Sequence, residues 1–359
     1  MRKMYLVKWL CFILIIYSLL PASILSVCAE DGYVETLSDN VGVGSRLWDL
    51  LFGKDEAEER TVLLGGGIFG VRIKQRYVTV SDAPGVPGLK SGDLIVSVNG
   101  ESVGSAADVK RMVEESGGGS LTIRALRQGN EVAVEIRPTL KDGEYRLGIS
   151  LRDGAAGLGT VTFVDPATGR FGGLGHGICD ADSGEVIAME SGRVCGVILG
   201  GIHPGESGRP GELSGILTDR EIGELTVNSE CGVFGLLKDF SPYLGREIEV
   251  GTRDEIIEGE ATVVSTLKNG RTAEYKIEIY DIDRSSTGSK SFRIRVTDPT
   301  LKAITGGIVR GMSGSPIIQN GKLVGAVTHV LVADPTEGYG IFIENMLGAG
   351  GITPKAKAA

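Results

Sequence analysis

The segment Gly311-Met312-Ser313-Gly314-Ser315-Pro316 runs directly into an apolar stretch that begins at Ile317 and ends at the tight turn Asn320-Gly321. A serine hydroxyl is a weak nucleophile, so a catalytic serine must stand clear of its own backbone and face a base. The glycines around Ser313 permit the sharp turn that this exposure requires. In such a turn the amides of Gly311 and Ser313 point the same way and hold the oxyanion that forms on attack. We therefore take Ser313 as the candidate nucleophile and these two amides as the candidate oxyanion hole.

A base for this serine must come from one of three histidines, because imidazole is available in its neutral form near pH 7. His176 lies in Gly173-Leu174-Gly175-His176-Gly177-Ile178, where small neighbours leave the ring accessible. His203 lies in a polar segment before Pro204, which is typical of a surface turn. His329 lies within an apolar strand and is expected to be a buried or wall residue. The sequence favours His176 as the base over both alternatives.

The third group of a catalytic triad holds the imidazole tautomer and stabilises the imidazolium. Asp298 ends a predicted strand and precedes Pro299, and it gives the order His, Asp, Ser along the chain. We take Asp298 as the first candidate for this role, although a strand-end cap or turn residue explains it too. Asp180 and Asp182 are competitors, since both follow His176 closely.

The region from residue 146 to 359 is punctuated by glycine and rich in strand patterns. It shows no long helix and no alternation of strands and helices, which favours an antiparallel barrel or sandwich. With the serine motif, this predicts a chymotrypsin-like double β-barrel peptidase domain. The predicted strands are residues 160–164, 185–189, 193–199, 247–250, 260–266, 274–279, 291–296 and 323–332.

Residues 61–140 have a different pattern, which resembles that of a PDZ domain. The string from Gly88 to Gly100, GLKSGDLIVSVNG, carries the resemblance. A helix capped by Ser105 is expected to follow, and then a hairpin around Gln128-Gly129-Asn130. The resemblance is to the permuted bacterial type, which predicts that the carboxylate-binding loop comes first. We predict that loop in the string formed by Gly67, Ile68, Phe69, Gly70 and Val71, with the following strand pairing with an incoming peptide.

Residues 1–29 are expected to be a signal peptide or a signal anchor, because a positive start precedes an apolar run and a small-residue cleavage site. Residues 30–60 are polar and are expected to be a linker. The chain of 359 residues has a formal charge of −9 and no basic tract, which argues against a nucleic-acid partner. No residue pattern predicts a metal or another cofactor. Cys179, Cys195 and Cys231 follow the leader, and either three thiols or one bridge would fit.

Several motifs agree in order and spacing with one family. They are residues 148–160, the histidine segment, Gly306-Gly307-Ile308-Val309-Arg310 before the serine motif, and residues 325–330 and 334–340 after it. Together with the leader and the PDZ pattern, the chain resembles the stage IV sporulation protein B family of serine peptidases. The resemblance implies His176 as base, Ser313 as nucleophile and Asp298 as the aspartate. Gly177 departs from the family, in which we expect a bulkier apolar residue after the histidine.

The resemblance also implies a biological role. Such a peptidase is made in the developing spore and exported across a membrane into the space between the two membranes around it. It cleaves itself and cuts a membrane-bound regulator, so that an intramembrane protease releases the late mother-cell sigma factor. Two other functions fit the residues: a PDZ-based tether that binds without cutting, and a general quality-control protease of the cell envelope.

Overall fold

Strands and short helices make up the computed structural model, which describes residues 60–239, 246–267, 270–353 and 355–356. The predicted leader lies outside the described residues, and so does the predicted linker except for Arg60. The helices are α1 (Ala106–Glu115), α2 (Pro299–Thr305) and α3 (Ile343–Gly350). The strands up to the end of the PDZ region are β1 (Arg60–Leu64), β2 (Ile68–Asp82), β3 (Leu94–Val98), β4 (Glu101–Ser102), β5 (Leu121–Arg127), β6 (Asn130–Ile136), β7 (Thr139–Lys141) and β8 (Glu144–Arg146). Those that follow are β9 (Ser150–Val164), β10 (Arg170–Gly173), β11 (Met189–His203), β12 (Glu212–Ser229), β13 (Gly232–Leu237), β14 (Glu247–Val250), β15 (Gly259–Thr266), β16 (Thr272–Tyr280), β17 (Phe292–Val296), β18 (Pro316–Gln319), β19 (Lys322–Val330), β20 (Glu337–Phe342) and β21 (Lys355–Ala356).

Two closed circuits of antiparallel strands form the peptidase region. In the first barrel β9 pairs with β2, β2 with β11, β11 with β12, β12 with β13, β13 with β10, and β10 again with β9. In the second barrel the circuit is β15, β16, β17, β20, β19 and β18, which closes on β15. Each barrel encloses its own apolar core. The fold is therefore mainly β, with a chymotrypsin-like double barrel, as the sequence predicted.

The PDZ domain is inserted into the first barrel and is not placed before it. Its core extends from Val78 to Ile136 and includes the partly buried Leu151. The first half of β2 belongs to the barrel core, where Phe69 and Val71 are buried, and its second half enters the PDZ core. Strand β9 makes the return crossing, since it pairs with β2 in both places. The predicted boundaries are corrected accordingly: the barrel takes residues before the PDZ domain, which extends past residue 140.

Two local predictions, the capped helix and the hairpin, are confirmed, and one predicted strand does not form. Helix α1 begins after Ser105, whose side chain accepts a hydrogen bond from the Asp108 amide, a cap that contributes about 1 kcal/mol to stability. The hairpin of β5 and β6 turns at Gln128 and Gly129, both with positive φ. Of the predicted strand at residues 185–189, only Met189 lies in a strand, where it is the first residue of β11. The three cysteines are free thiols.

Candidate functional site

The turn that carries Ser313 lies between α2 and β18, where the first barrel meets the second. Gly311 has φ +97° and Gly314 has φ +90°, a backbone region that other residues rarely enter. Pro316 opens β18, which is a position where a strand tolerates proline. Ser313 is half-buried and its neighbours in the turn are buried. Gly311 and Gly314 therefore permit the sharp turn around Ser313, as the sequence predicted.

The two candidate oxyanion amides are held through the carbonyl groups of their own peptide planes. In a trans peptide the N–H and C=O bonds point in opposite directions. The Arg310 carbonyl accepts from the Leu213 amide at 2.8 Å, and the Met312 carbonyl accepts from the Ser315 amide at 2.8 Å. These bonds fix the orientations of the Gly311 and Ser313 N–H groups. Neither N–H donates to another residue in the part of the chain that the structure describes, so both are free to bind an oxyanion.

His176 is held in the tautomer that a general base needs. Its Nδ1 lies 2.8 Å from the Gly177 carbonyl oxygen, so Nδ1–H donates and the lone pair is at Nε2. Burial lowers the pKa of His176 below its usual value, and the Gly177 carbonyl opposes this shift only in part. The ring is therefore neutral near pH 7. Gly177 itself has no room for a side chain, because a Cβ would press on the Ser229 carbonyl oxygen.

His329 is the immediate neighbour of His176. The two ring centroids lie 5.0 Å apart. Nδ1 of His329 is buried and has no hydrogen-bond partner in the described structure. Burial, His176 and Lys290 lower the pKa of His329 to about 4. His329 is thus a neutral residue packed beside His176, which fits the predicted wall position. His203 is exposed, as predicted, but it ends strand β11 and does not lie in a turn, and its Nδ1 is 3.3 Å from Glu212.

The serine hydroxyl is engaged by the strand that carries His329. Ser313 Oγ donates to the Thr328 carbonyl oxygen at 2.9 Å, and His329 is the next residue. The loop before His176 lies against the same strand, since a Cβ on Gly175 would meet the Thr328 side chain and the Val327 carbonyl. Ser313 and His176 thus both lie against β19, and a rotation of the serine side chain must precede attack. The sequence contained no signal for the Thr328 carbonyl as a resting acceptor.

Asp298 makes no hydrogen bond with His176 among the described residues, so the contact expected of a triad is not formed here. Its carboxylate is the N-cap of α2, accepting from the Thr300 amide at 2.8 Å and from the Leu301 amide at 3.0 Å. The other carboxylate oxygen accepts from the Lys276 amide at 3.2 Å. Burial raises the pKa of Asp298, but these backbone hydrogen bonds outweigh it and the net shift is downward. Asp298 therefore caps a helix, whereas the alternative that the sequence left open was a strand-end cap or a turn residue.

The two competing aspartates also have other partners. Asp180 accepts from the amides of Asp182 and Ser183 within its own turn. It also pairs with Arg152 of β9 at 3.2 Å, and Asp182 pairs with the same guanidinium at 3.5 Å. The group that orients His176 is therefore the Gly177 carbonyl, which sequence reasoning missed because any residue supplies a carbonyl.

The predicted carboxylate-binding loop from Gly67 to Val71 is wrong. Ile68 pairs with Thr160, and Val71 pairs with Gly157 on one side and Val194 on the other, all within the first barrel. These backbone groups are already used in the barrel, so no peptide can pair there. The short apolar-glycine-apolar string fits a barrel strand as well as it fits a PDZ loop.

No helix among the described residues has the length and apolar character to cross a membrane. Within the same residues, no group of three or more His, Cys, Asp or Glu side chains is placed to hold a metal ion.

Known proteins resemble parts of this chain. A putative zinc metalloprotease of Mesorhizobium japonicum is 33% identical over 81 residues, which are 23% of this chain and 22% of that protein. Tight junction protein ZO-3 of Mus musculus is 32% identical over 109 residues, which are 30% of this chain and 12% of that protein. The chain thus spans less than a quarter of the length of either relative.

Among solved structures, the active form of the Rv3671c protease from M. tuberculosis is 16% identical, with a TM-score of 0.31 over 56% of this chain and 78% of that chain. The HtrA-type protease AlgW with a tripeptide is 12% identical, with a TM-score of 0.32 over 54% of each chain.

Two family models match the chain directly. A PDZ domain model matches residues 88–127, within the inserted domain. The model of the SpoIVB peptidase S55 family matches residues 143–347, which is more than half of the chain and includes His176 and Ser313. By this match and by its double-barrel fold, the chain belongs to the SpoIVB peptidase S55 family.

Proposed function

We propose that this protein is a serine endopeptidase in which His176 activates Ser313. One observation carries the proposal: a serine in a glycine turn with two unoccupied amides, and a neutral histidine whose Nδ1–H is held by Gly177, both contact the Thr328–His329 segment of β19. Nucleophile, oxyanion donors and base are the three parts that acyl transfer requires. The family match supports the same reaction class.

The proposed reaction follows from this arrangement. The Ser313 hydroxyl leaves the Thr328 carbonyl and donates to Nε2 of His176, which takes the proton as Oγ bonds to the peptide carbonyl carbon. The carbonyl oxygen becomes an oxyanion and accepts from the amides of Gly311 and Ser313. His176 then protonates the leaving amine as the C–N bond breaks, which leaves an acyl-enzyme. Water, deprotonated by His176, hydrolyses the ester and restores Ser313.

The proposal is tested with the purified chain from residue 30 and a fluorophosphonate probe. We expect the probe to modify Ser313, and mass spectrometry identifies the labelled peptide. Heat-denatured protein is the control, because labelling requires the folded site. If the folded chain is not labelled and cleaves neither itself nor other peptides, the protein is a binding module and the proposal fails.

Asp298 provides a test of the orienting group. Asparagine is as good an N-cap as aspartate and loses only the hydrogen bond from the Lys276 amide, so we expect Asp298→Asn to change kcat/KM by only about threefold or less. The corresponding change of a triad aspartate lowers kcat by about 10⁴-fold. Asp298→Ala removes the cap and should cost about 1 kcal/mol of stability, measured by urea unfolding. A loss of activity in Asp298→Asn without a loss of stability would restore the aspartate to the catalytic site.

We further propose that the peptidase serves sporulation signalling. It is exported into the space between the membranes of the developing spore, cleaves itself and cuts a membrane-bound regulator of an intramembrane protease. Membership of the SpoIVB peptidase S55 family supports this role. A signalling peptidase should ignore an unfolded substrate such as casein while cutting its own chain at few sites. Rapid digestion of casein would favour the quality-control alternative.

A peptide site in the PDZ domain is also proposed, at a different place from the predicted loop. The first residues of β9, Ser150, Leu151 and Arg152, pair on one edge with β2, and no other described strand pairs with them. Helix α1 lies beside this segment, since the Ala106 amide donates to Asp153 at 2.8 Å. A peptide can add a strand at such an edge, with its carboxylate at the turn of Gly148, which has φ +72°. NMR shift changes confined to α1 and residues 147–153 on peptide addition would support this site.

A further inference from the structure

Thr160 contacts both loops that carry the proposed catalytic groups. Its amide donates to the Ser313 carbonyl oxygen at 2.9 Å, and its hydroxyl donates to the Gly311 carbonyl oxygen at 2.8 Å. Its own carbonyl accepts from the amide of Leu174 at 3.2 Å, two residues before His176. Thr160 is fully buried. One residue of β9 therefore connects the serine turn to the histidine loop.

Thr162 extends the same connection. It lies two positions further along β9, at an irregularity in the pairing of β9 with β10. Its hydroxyl donates to the Gly314 carbonyl oxygen at 2.7 Å, and it too is fully buried. Gly314 is packed so closely that a Cβ would overlap the Thr160 carbonyl oxygen and the Leu174 amide. The serine turn is thus clamped on both sides of Ser313.

We propose that Thr160 is a positioning residue, whose hydroxyl holds the serine turn at the distance from His176 that attack requires. This inference rests on the proposed function and adds to it a residue outside the reacting groups. The backbone hydrogen bond from Thr160 to Ser313 does not depend on the side chain, so it remains in any variant at this position. The hydroxyl adds the contact to Gly311, whose amide is one of the two oxyanion donors.

The physical reason is the sensitivity of acyl transfer to geometry. A displacement of about 1 Å at a reacting group lowers the rate by about 10²-fold. Without the hydroxyl, the buried Gly311 carbonyl has lost its partner, and the turn relaxes to find another. Substrate still binds along the cleft, so the loss is expected in kcat and not in KM.

Thr160→Val is the test, because valine keeps the shape of threonine and removes the hydroxyl. We expect kcat for a peptide containing a self-cleavage site to fall about 10- to 100-fold with KM changed less than about twofold. The rate of fluorophosphonate labelling should fall in parallel. Thr160→Ser, which keeps the hydroxyl, should recover most of kcat.

Thr266→Val is the matched control. Thr266 is also buried and donates to a glycine carbonyl, that of Gly66, at 2.8 Å, far along the chain from the serine turn. It should lose stability without a selective fall in kcat. If Thr160→Val keeps the wild-type kcat, or falls no further than Thr266→Val, the inference is wrong. If the wild type itself neither labels nor cleaves, the proposed function has failed instead.

Discussion

Ser313→Ala is expected to lower the rate of peptide-bond cleavage by about 10⁴- to 10⁶-fold. The hydroxyl oxygen is the atom that bonds to the substrate carbonyl carbon, and no other described side chain hydrogen-bonds to the two unoccupied amides. The residual rate comes from substrate binding and the oxyanion donors alone. Single-turnover cleavage of the chain's own cut-site peptide measures this loss, and labelling by fluorophosphonate should disappear.

Ser265→Ala is the control for that change. Ser265 is fully buried in β15, and its hydroxyl has no hydrogen-bond partner in the described structure. Ser265→Ala removes the same hydroxyl group as Ser313→Ala, but from the second barrel, and it leaves Ser313 and His176 unchanged. Cleavage should therefore remain within about threefold of wild type. Equal activity of the two variants would show that Ser313 is not the nucleophile.

The sequence predicted the kinds of structural unit but not how the PDZ domain joins the barrel. The alternation along β2 changes phase within the strand: Phe69, Val71 and Ile73 face the barrel core, and Val78 and Val80 face the PDZ core. Alternation reports that a strand has two faces and does not report which core each face enters. The boundary was therefore placed too early, and barrel residues were assigned to the PDZ domain.

The candidate site was predictable where local chemistry constrains the residue type. Ser313 and His176 have small neighbours because their side chains must be reached, and that requirement is visible in sequence. Asp298 precedes a proline, which is a cap and first-turn pattern of a helix as much as the end of a strand. Only the hydrogen bonds of the Asp298 carboxylate distinguish a helix cap from the end of a strand. The Gly177 and Thr328 carbonyls are backbone groups, and Thr160 acts through a pairing between distant segments.

His176→Ala should lower cleavage as far as Ser313→Ala does, and the double variant should be no slower than either. Nucleophile and base act as one unit, so their losses do not add. The structure gives His329 a different expectation, because its Nδ1 is buried without a partner and its ring only packs against His176. We expect His329→Gln to keep measurable turnover, lowered about 10-fold by the change in packing around the base.

The pH dependence identifies which histidine is the base. A general base works only when neutral, so activity falls as pH drops through its pKa. Burial lowers the pKa of His176, which places the acid limb of kcat/KM below the usual histidine value of about 6.5. His329, with a pKa of about 4, is already neutral over the pH range just below 6.5. His329→Gln should therefore keep an acid limb below about pH 6.5, whereas a limb that vanishes in this variant would make His329 the base and reduce His176 to a neighbour.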